Sequence, residues 1–127
     1  MNEQIRKALE NDLTIDITTK GRKSGRPRKI EIWFHNVDGR LYITGDPGTR
    51  DWYANMLAEP EFTFHLKESV KADLSAHAKP ITAKTERRRV FTRMREMEGG
   101  GWDFDAWLKG SPLVEVVLEG ERHAAEG

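Results

Sequence analysis

Thr18-Thr19-Lys20-Gly21-Arg22-Lys23-Ser24-Gly25-Arg26-Pro27-Arg28-Lys29 lies between two stretches patterned as strands. Before it, Leu13, Ile15 and Ile17 alternate with Thr14, Asp16 and Thr18. After it, Ile30, Ile32 and Phe34 alternate with Glu31, Trp33 and His35. Period-two alternation is the mark of a strand. The twelve residues are therefore a loop joining strands at 13–18 and 30–37. Six of them are basic, which makes the loop a cationic one. Gly21 and Gly25 give its backbone freedom. Such a loop can present amide N–H groups, the Ser24 hydroxyl and several cations to one anion, and phosphate or a string of carboxylates would suit it. A solvated hairpin tip is the plain alternative.

Outward from the loop, the second strand carries large groups on both faces and is expected to be covered on both sides. Asp38-Gly39 is a two-residue turn signal, and Leu41 to Thr44 is the returning strand. Gly45-Asp46-Pro47-Gly48 breaks that strand. Thr49 is a candidate cap for a helix that carries Trp52, Met56 and Leu57 on one face and is stopped by Pro60. Phe62, Phe64 and Leu66 alternate as a further strand, and 70–76 as another. Thr82 or Thr85 is placed to cap a second helix with Val90, Phe91, Met94 and Met97 as its apolar stripe and arginines on the other faces. Gly99-Gly100-Gly101 ends it. Residues 102–108 read as a short helical piece and 113–118 as a last, β-branched strand. Residues 2–11 form an N-terminal helix, within a segment 1–12, on the spacing of Ile5, Ala8 and Leu9. The tail 120–127 is expected to fray. The pattern is mainly β: about six mostly antiparallel strands, no βαβ rhythm, and short helices packed at the ends of a small barrel.

At 127 residues the chain is expected to form one domain, spanning 1–127. Twenty-one Lys and Arg balance 21 Asp and Glu, so no global field draws the chain to nucleic acid or a membrane surface. There is no cysteine, which excludes disulfides, thiolate metal sites and a cysteine nucleophile. Residues 1–12 are charged, unlike a signal peptide, and no apolar run is long enough for an integral membrane helix. The expectation is a cytoplasmic protein, monomeric or homodimeric, with a small-molecule partner.

The four histidines, His35, His65, His77 and His123, have no metal-ligand spacing, and no metal is expected. Catalytic residues are not identifiable. The serines lack a nucleophile-elbow setting, and Gly21-Arg22-Lys23-Ser24 lacks the leading glycine and following helix of a Walker loop. Trp33, Trp52, Trp102 and Trp107 read singly as packing aromatics; together they could wall a flat pocket, with the triple glycine as a hinge. Glu31 reads as an ion-pair partner for Lys29 or an arginine, or as a barrel-facing carboxylate.

Thr18 to Arg28, followed by Ile32-Trp33-Phe34, resembles the T-T-x-G-R-K-[ST]-G-x-P-R stretch of the deazaflavin-dependent nitroreductase family in the flavin/deazaflavin oxidoreductase superfamily. Asp51 to Pro60 resembles that family's W-Y-x-N-L-x-x-N-P helix, and Trp107 with Pro112 to Leu118 falls where the family closes. The resemblance runs from about Leu13 to Leu118. It implies a split β-barrel that binds coenzyme F-420 and transfers a hydride to a quinone-, enone- or nitro-type acceptor. It also implies that Arg22, Lys23, Ser24, Gly25 and Arg28 hold phosphate and tail. The ring would lie along Ile32, Trp33 and Phe34 and along Thr44, Gly45 and Asp46, with Trp52 and Asn55 contributed by the following helix. Trp102 and Phe104 stand nearest to the tyrosines that line the family's substrate side. Two departures stand out: Glu31 where the family often has Pro, and Gly45 to Arg50 in place of a Gly-Gly segment. FMN is the alternative cofactor, and a non-catalytic protein binding FMN, haem or another flat ligand is the alternative function.

Overall fold

The computed structural model describes residues 2–121, with side chains through residue 119. Seven strands and four helices follow in chain order: α1 (Glu3–Asn11), β1 (Thr14–Lys20), β2 (Pro27–Trp33), β3 (His35–Val37), β4 (Arg40–Thr44), α2 (Asp51–Ala58), β5 (Glu61–Leu66), β6 (Ala72–Pro80), α3 (Lys84–Glu98), α4 (Phe104–Gly110) and β7 (Leu113–Glu121). All pairings are antiparallel, in the order β2-β1-β5-β6-β7-β4-β3.

The two edges of this sheet are the two halves of one bent strand. Residues 30–37, expected as a single strand, break at Phe34 into β2, which pairs with β1, and β3, which pairs with β4. Phe34 turns into the interior, 2% exposed, and meets Phe64 edge to face with ring centroids 5.3 Å apart. Its amide donates to the Leu13 carbonyl at 3.0 Å. The bend lets one stretch serve both margins, so the sheet curls into a split barrel with little free edge.

Inward alternation fills the barrel with Ile15, Ile17, Leu41, Ile43, Phe62, Phe64, Leu74 and Val114. Both barrel-end helices contribute, α1 through Ile5, Ala8 and Leu9 and α2 through Trp52 and Met56. Asn2 caps α1, its side-chain oxygen accepting from the amides of Gln4 at 2.7 Å and Ile5 at 3.3 Å. A second cluster lies on the opposite face of β4 and β7. There Tyr42 and Leu113 meet Val90, Phe91 and Met94 of α3, with Trp102, Phe104 and Trp107 packed against them. That is why β4 is buried on successive residues and reads as an unbroken apolar run.

Several expectations need correction. β2 is not covered on both faces: Trp33 is 57% exposed. Neither Thr49 nor Thr82 nor Thr85 caps a helix. Arg50 and Ala83 occupy the cap positions of α2 and α3 with no side-chain bond. Met97 lies outside the buried stripe of α3, and Arg87 lies within it. Leu57 is exposed while Asn55 is buried. β6 begins at Ala72 and runs through Pro80, and β7 continues to Glu121, so the first two residues of the supposed frayed tail are strand. Residues 122–127, with His123, lie outside the described residues. The Asp38-Gly39 turn holds as expected, both residues adopting positive φ, 54° and 91°.

On the outer face of β1 and β2, Lys67 bridges two carboxylates. Its Nζ donates to Asp16 Oδ1 at 2.8 Å and also to Glu31 Oε2. Glu31 thus pairs with Lys67, neither facing the barrel nor pairing with Lys29. The Lys67 bond holds the Asp16 carboxyl below its ordinary range. A carboxyl lowered in the fold stabilises above its unfolded pKa of about 3.9 and loses that contribution as pH falls through the folded value. Asp16→Asn is therefore expected to melt a few degrees below the parent chain at pH 7, with the gap closing as the pH is taken below about 3. Thermal melts across pH check this. A constant gap would detach Asp16 from the acid transition.

Candidate functional site

The loop between β1 and β2 is tightly built. The Gly21 amide donates to the Arg26 carbonyl at 2.8 Å, the Gly25 amide to the Gly21 carbonyl at 2.8 Å, and the Arg26 amide to Ser24 Oγ at 3.1 Å. A Cβ on Gly21 would stand 2.7 Å from Ser24 Oγ and 3.2 Å from the Arg26 carbonyl oxygen, so a larger residue there would push the Ser24 side chain aside and crowd the turn. Gly25 takes φ +72°, a left-handed conformation costly for a side-chain-bearing residue.

The loop is tied to α2 through one buried residue. Asn55, 4% exposed, accepts from the Arg22 amide at 3.1 Å and from Arg22 Nη1 at 2.9 Å. Its Nδ2 donates to Thr19 Oγ1 at 3.3 Å. Arg22 Nη2 lies 3.3 Å from Asp51 Oδ1 at the start of α2. A polar residue is affordable on the inner side of α2 because each of its hydrogen-bonding atoms has a partner on the loop.

Between loop and helix lies a cavity of about 380 Å³. Arg22, Lys23, Ser24 and Arg28 form its basic side, and Trp52 and Asn55 of α2 and Ile30 of β2 also line it. Lys23, Arg26 and Arg28 have no ion-pair partner among the described residues. Most paired cations lie elsewhere, such as Arg6 with Glu3 and Glu10, Lys67 with Asp16, and Arg93 with Asp38. The Lys23 and Ser24 amides likewise donate to no described acceptor. Of these, Lys23 and Arg28 line the cavity, so unpaired cations and N–H groups share one place, an arrangement chemically suited to a phosphate or carboxylates.

Six of the anticipated cofactor residues thus meet at one cavity: Arg22, Lys23, Ser24, Arg28, Trp52 and Asn55. Thr19, Gly21, Ile30 and Asp51 also line it and were not anticipated. Asp51 was legible as the first residue of the Trp-Tyr helix, whereas Thr19 needed the fold to show its bond to Asn55. The other anticipated residues lie elsewhere. Gly25 faces a neighbouring groove with Pro27, Lys20 and Glu61. Ile32 is half-buried, Trp33 exposed and Phe34 in the core. Buried Thr44 donates from Oγ1 to the Pro112 carbonyl. Half-buried Gly45 and exposed Asp46 begin the next loop, where the Asp46 carbonyl accepts from Arg50 Nη2 at 2.9 Å. Trp102 and Phe104 stack on each other, ring centroids 5.9 Å apart, within the α3–α4 cluster.

The three described histidines each direct Nδ1 to a carboxylate. His35 reaches Glu98 at 2.9 Å, His65 reaches Asp73 at 2.7 Å and His77 reaches Glu61 at 2.6 Å. Among the described residues no group of three or more His, Cys, Asp or Glu is placed to hold a metal ion. Nor is any helix there long and apolar enough to cross a membrane.

The family model for F420H2-dependent quinone reductases matches residues 2–120. The chain belongs to this family. Other members of the fold agree with this quinone reductase family assignment at the level of architecture. A conserved hypothetical protein from Mycobacterium tuberculosis superposes with a TM-score of 0.73 at 17% identity, over 94% of this chain and 82% of the other. A structure described as an F420 reductase gives 0.66 at 17% identity, over 94% and 97%. The haem storage protein HutZ from Vibrio cholerae gives 0.69 at 16% identity, over 91% and 88%. Identities this low establish the fold alone, a split barrel. The F420H2-dependent quinone reductase family is one of oxidoreductases, and its members reduce with a deazaflavin coenzyme.

Proposed function

We propose that this chain is a reductase that draws on reduced coenzyme F-420 and passes a hydride to a small acceptor of quinone, enone or nitro type. The observation that carries the reading is the set of unpartnered groups at the loop cavity, Lys23, Arg28 and the Lys23 and Ser24 amides. They fit a coenzyme that carries a phosphate and a tail of carboxylates. FMN carries one phosphate and no such tail, and it would leave most of these cations unused.

When bound, the coenzyme supplies the hydride from its reduced deazaflavin carbon. The chain's own residues bind and orient. Lys23, Ser24 and Arg28 would hold the phosphate and the tail. Arg22, braced by Asn55 and Asp51, would keep the loop at its distance from α2. Trp52, 7% exposed, gives the cavity a rigid, water-excluding wall. No acid–base side chain is required of the protein in this scheme.

The test is a fluorescence titration of the purified protein with coenzyme F-420, with FMN as competitor, followed by oxidation of the reduced coenzyme by menadione. Saturable binding of the deazaflavin in preference to FMN, and menadione-dependent oxidation only with protein present, are the expected results. A folded protein that binds FMN better, or neither, would sink the cofactor assignment.

A further inference from the structure

A second cavity, of about 480 Å³, lies on the other side of α2 from the loop pocket. The helix presents Asp51, Trp52 and Asn55 to the first cavity and Tyr53, Ala54 and Leu57 to the second. Trp52 and Tyr53 touch edge to face, ring centroids 5.9 Å apart, so the two cavities share a wall. The far side of the second cavity is the α4–β7 junction at Lys109, Ser111 and Pro112, and its rim is the 48–50 segment. The Gly48 amide donates to the Gly110 carbonyl at 3.1 Å and fastens rim to junction.

The charge of this wall is one-sided. Arg50, Arg87 and Lys109 line it, and no Asp or Glu does. Arg87 is committed internally, donating to the carbonyls of Ile81, Trp107, Leu108 and Ser111 at 2.7–3.1 Å. That explains why a guanidinium can be buried without a carboxylate: it closes the C-terminal end of α4. Arg50 and Lys109 remain. Arg50 spends one proton of each Nη on the Thr49 and Asp46 carbonyls, which fixes its fork and leaves three donors open. Lys109 is exposed and has no ion partner among the described residues. Ser111 is 3% exposed, and its Oγ is buried with no hydrogen-bond partner among the described residues. A buried hydroxyl without a partner is uncommon in a settled core.

We infer that this cavity is a second ligand site, taking an aromatic carboxylate. The anionic head would lie at Arg50 and Lys109 and the ring against Tyr53, Leu57 and Pro112. A planar fork, a point charge and an apolar wall match one carboxylate on a flat body, and the volume is that of a small-molecule site. The site is separate from the coenzyme cavity proposed above, so its test does not depend on that reading.

Benzoate is the probe, added to isotopically labelled protein while the amide signals of Gly48, Gly110 and Ser111 are followed by NMR. Saturable shifts at these amides are expected, with benzamide and inorganic phosphate each binding at least tenfold more weakly. The Arg50→Gln, Lys109→Glu variant should lose at least tenfold in benzoate affinity while its coenzyme titration stays within twofold of the parent chain. Lys109→Gln, at an exposed and unpartnered position, is the variant least exposed to folding defects and should lose severalfold. The inference is overturned by shifts that stay linear in benzoate, by an equal response to benzamide or to phosphate, or by unchanged affinity in both variants. It is equally overturned if light scattering shows a dimer and benzoate leaves these amides unmoved.

Discussion

The Lys23→Ala, Arg28→Ala double variant is expected to bind coenzyme F-420 about a hundredfold more weakly than the parent chain while melting at the same temperature. Hydrogen bonds to charged groups contribute about 1.5–3 kcal/mol each, and the lower end suits a cavity open to solvent. Two such contacts give about 3 kcal/mol, and each 1.4 kcal/mol is a factor of ten in affinity. Stability should be untouched because neither side chain has a described partner to lose. Ionic strength provides a second reading. Exposed charges a few ångströms from the ligand are screened within about 10 Å at 0.1 M salt. Parent binding should therefore fall steeply as salt is raised, and the variant's should fall less. Titrations at two salt concentrations measure both quantities. Equal affinity for parent and variant would remove the loop from the coenzyme site, whatever the family does elsewhere.

Asn55→Ala should act in the opposite manner, costing stability and affinity together. The substitution strips the Arg22 amide and guanidinium of their acceptor and buried Thr19, 3% exposed, of its donor. Leaving buried groups unpaired costs about 1–3 kcal/mol. For a chain of this length that is roughly a 5–10 °C fall in melting temperature. Released from α2, the loop no longer holds its cations in one arrangement, and coenzyme affinity should fall at least tenfold. Asn55→Asp retains the acceptor for Arg22 and should recover part of both losses. Thermal melts and the same titration decide the matter. If Asn55→Ala loses stability but binds normally, Asn55 is only a core residue and the brace has no part in binding.

These two variants divide the site into what was legible in the sequence and what was not. The loop's charge, its glycines and its place between two alternating strands are local properties, each carried by a residue's own chemistry and its near neighbours. Hence Arg22, Lys23, Ser24 and Arg28 could be named from the chain alone. Asn55 could be named only through the resemblance to the W-Y-x-N helix. Its role depends on residues 33 and 36 positions away, a relation that no periodicity encodes. Thr19 read only as part of the loop stretch until Asn55 was placed against it.

The same division runs through the fold. Alternation, the Asp38-Gly39 turn and the helix-ending glycines determined the kinds and order of the elements, because backbone preference and side-chain period act over a few residues. The break at Phe34 is invisible to such rules. The pattern Ile30-Ile32-Phe34 continues smoothly, and only pairing with β1 on one half and β4 on the other makes the strand bend. The burial of Tyr42 and Arg87, and the exposure of Trp33 and Met97, were likewise decided by what packs opposite them. What the sequence alone determined about this protein is a strand-rich chain with one cationic, anion-seeking loop. The tertiary structure decided which wall that loop faces, since contacts between distant segments depend on how the whole sheet closes.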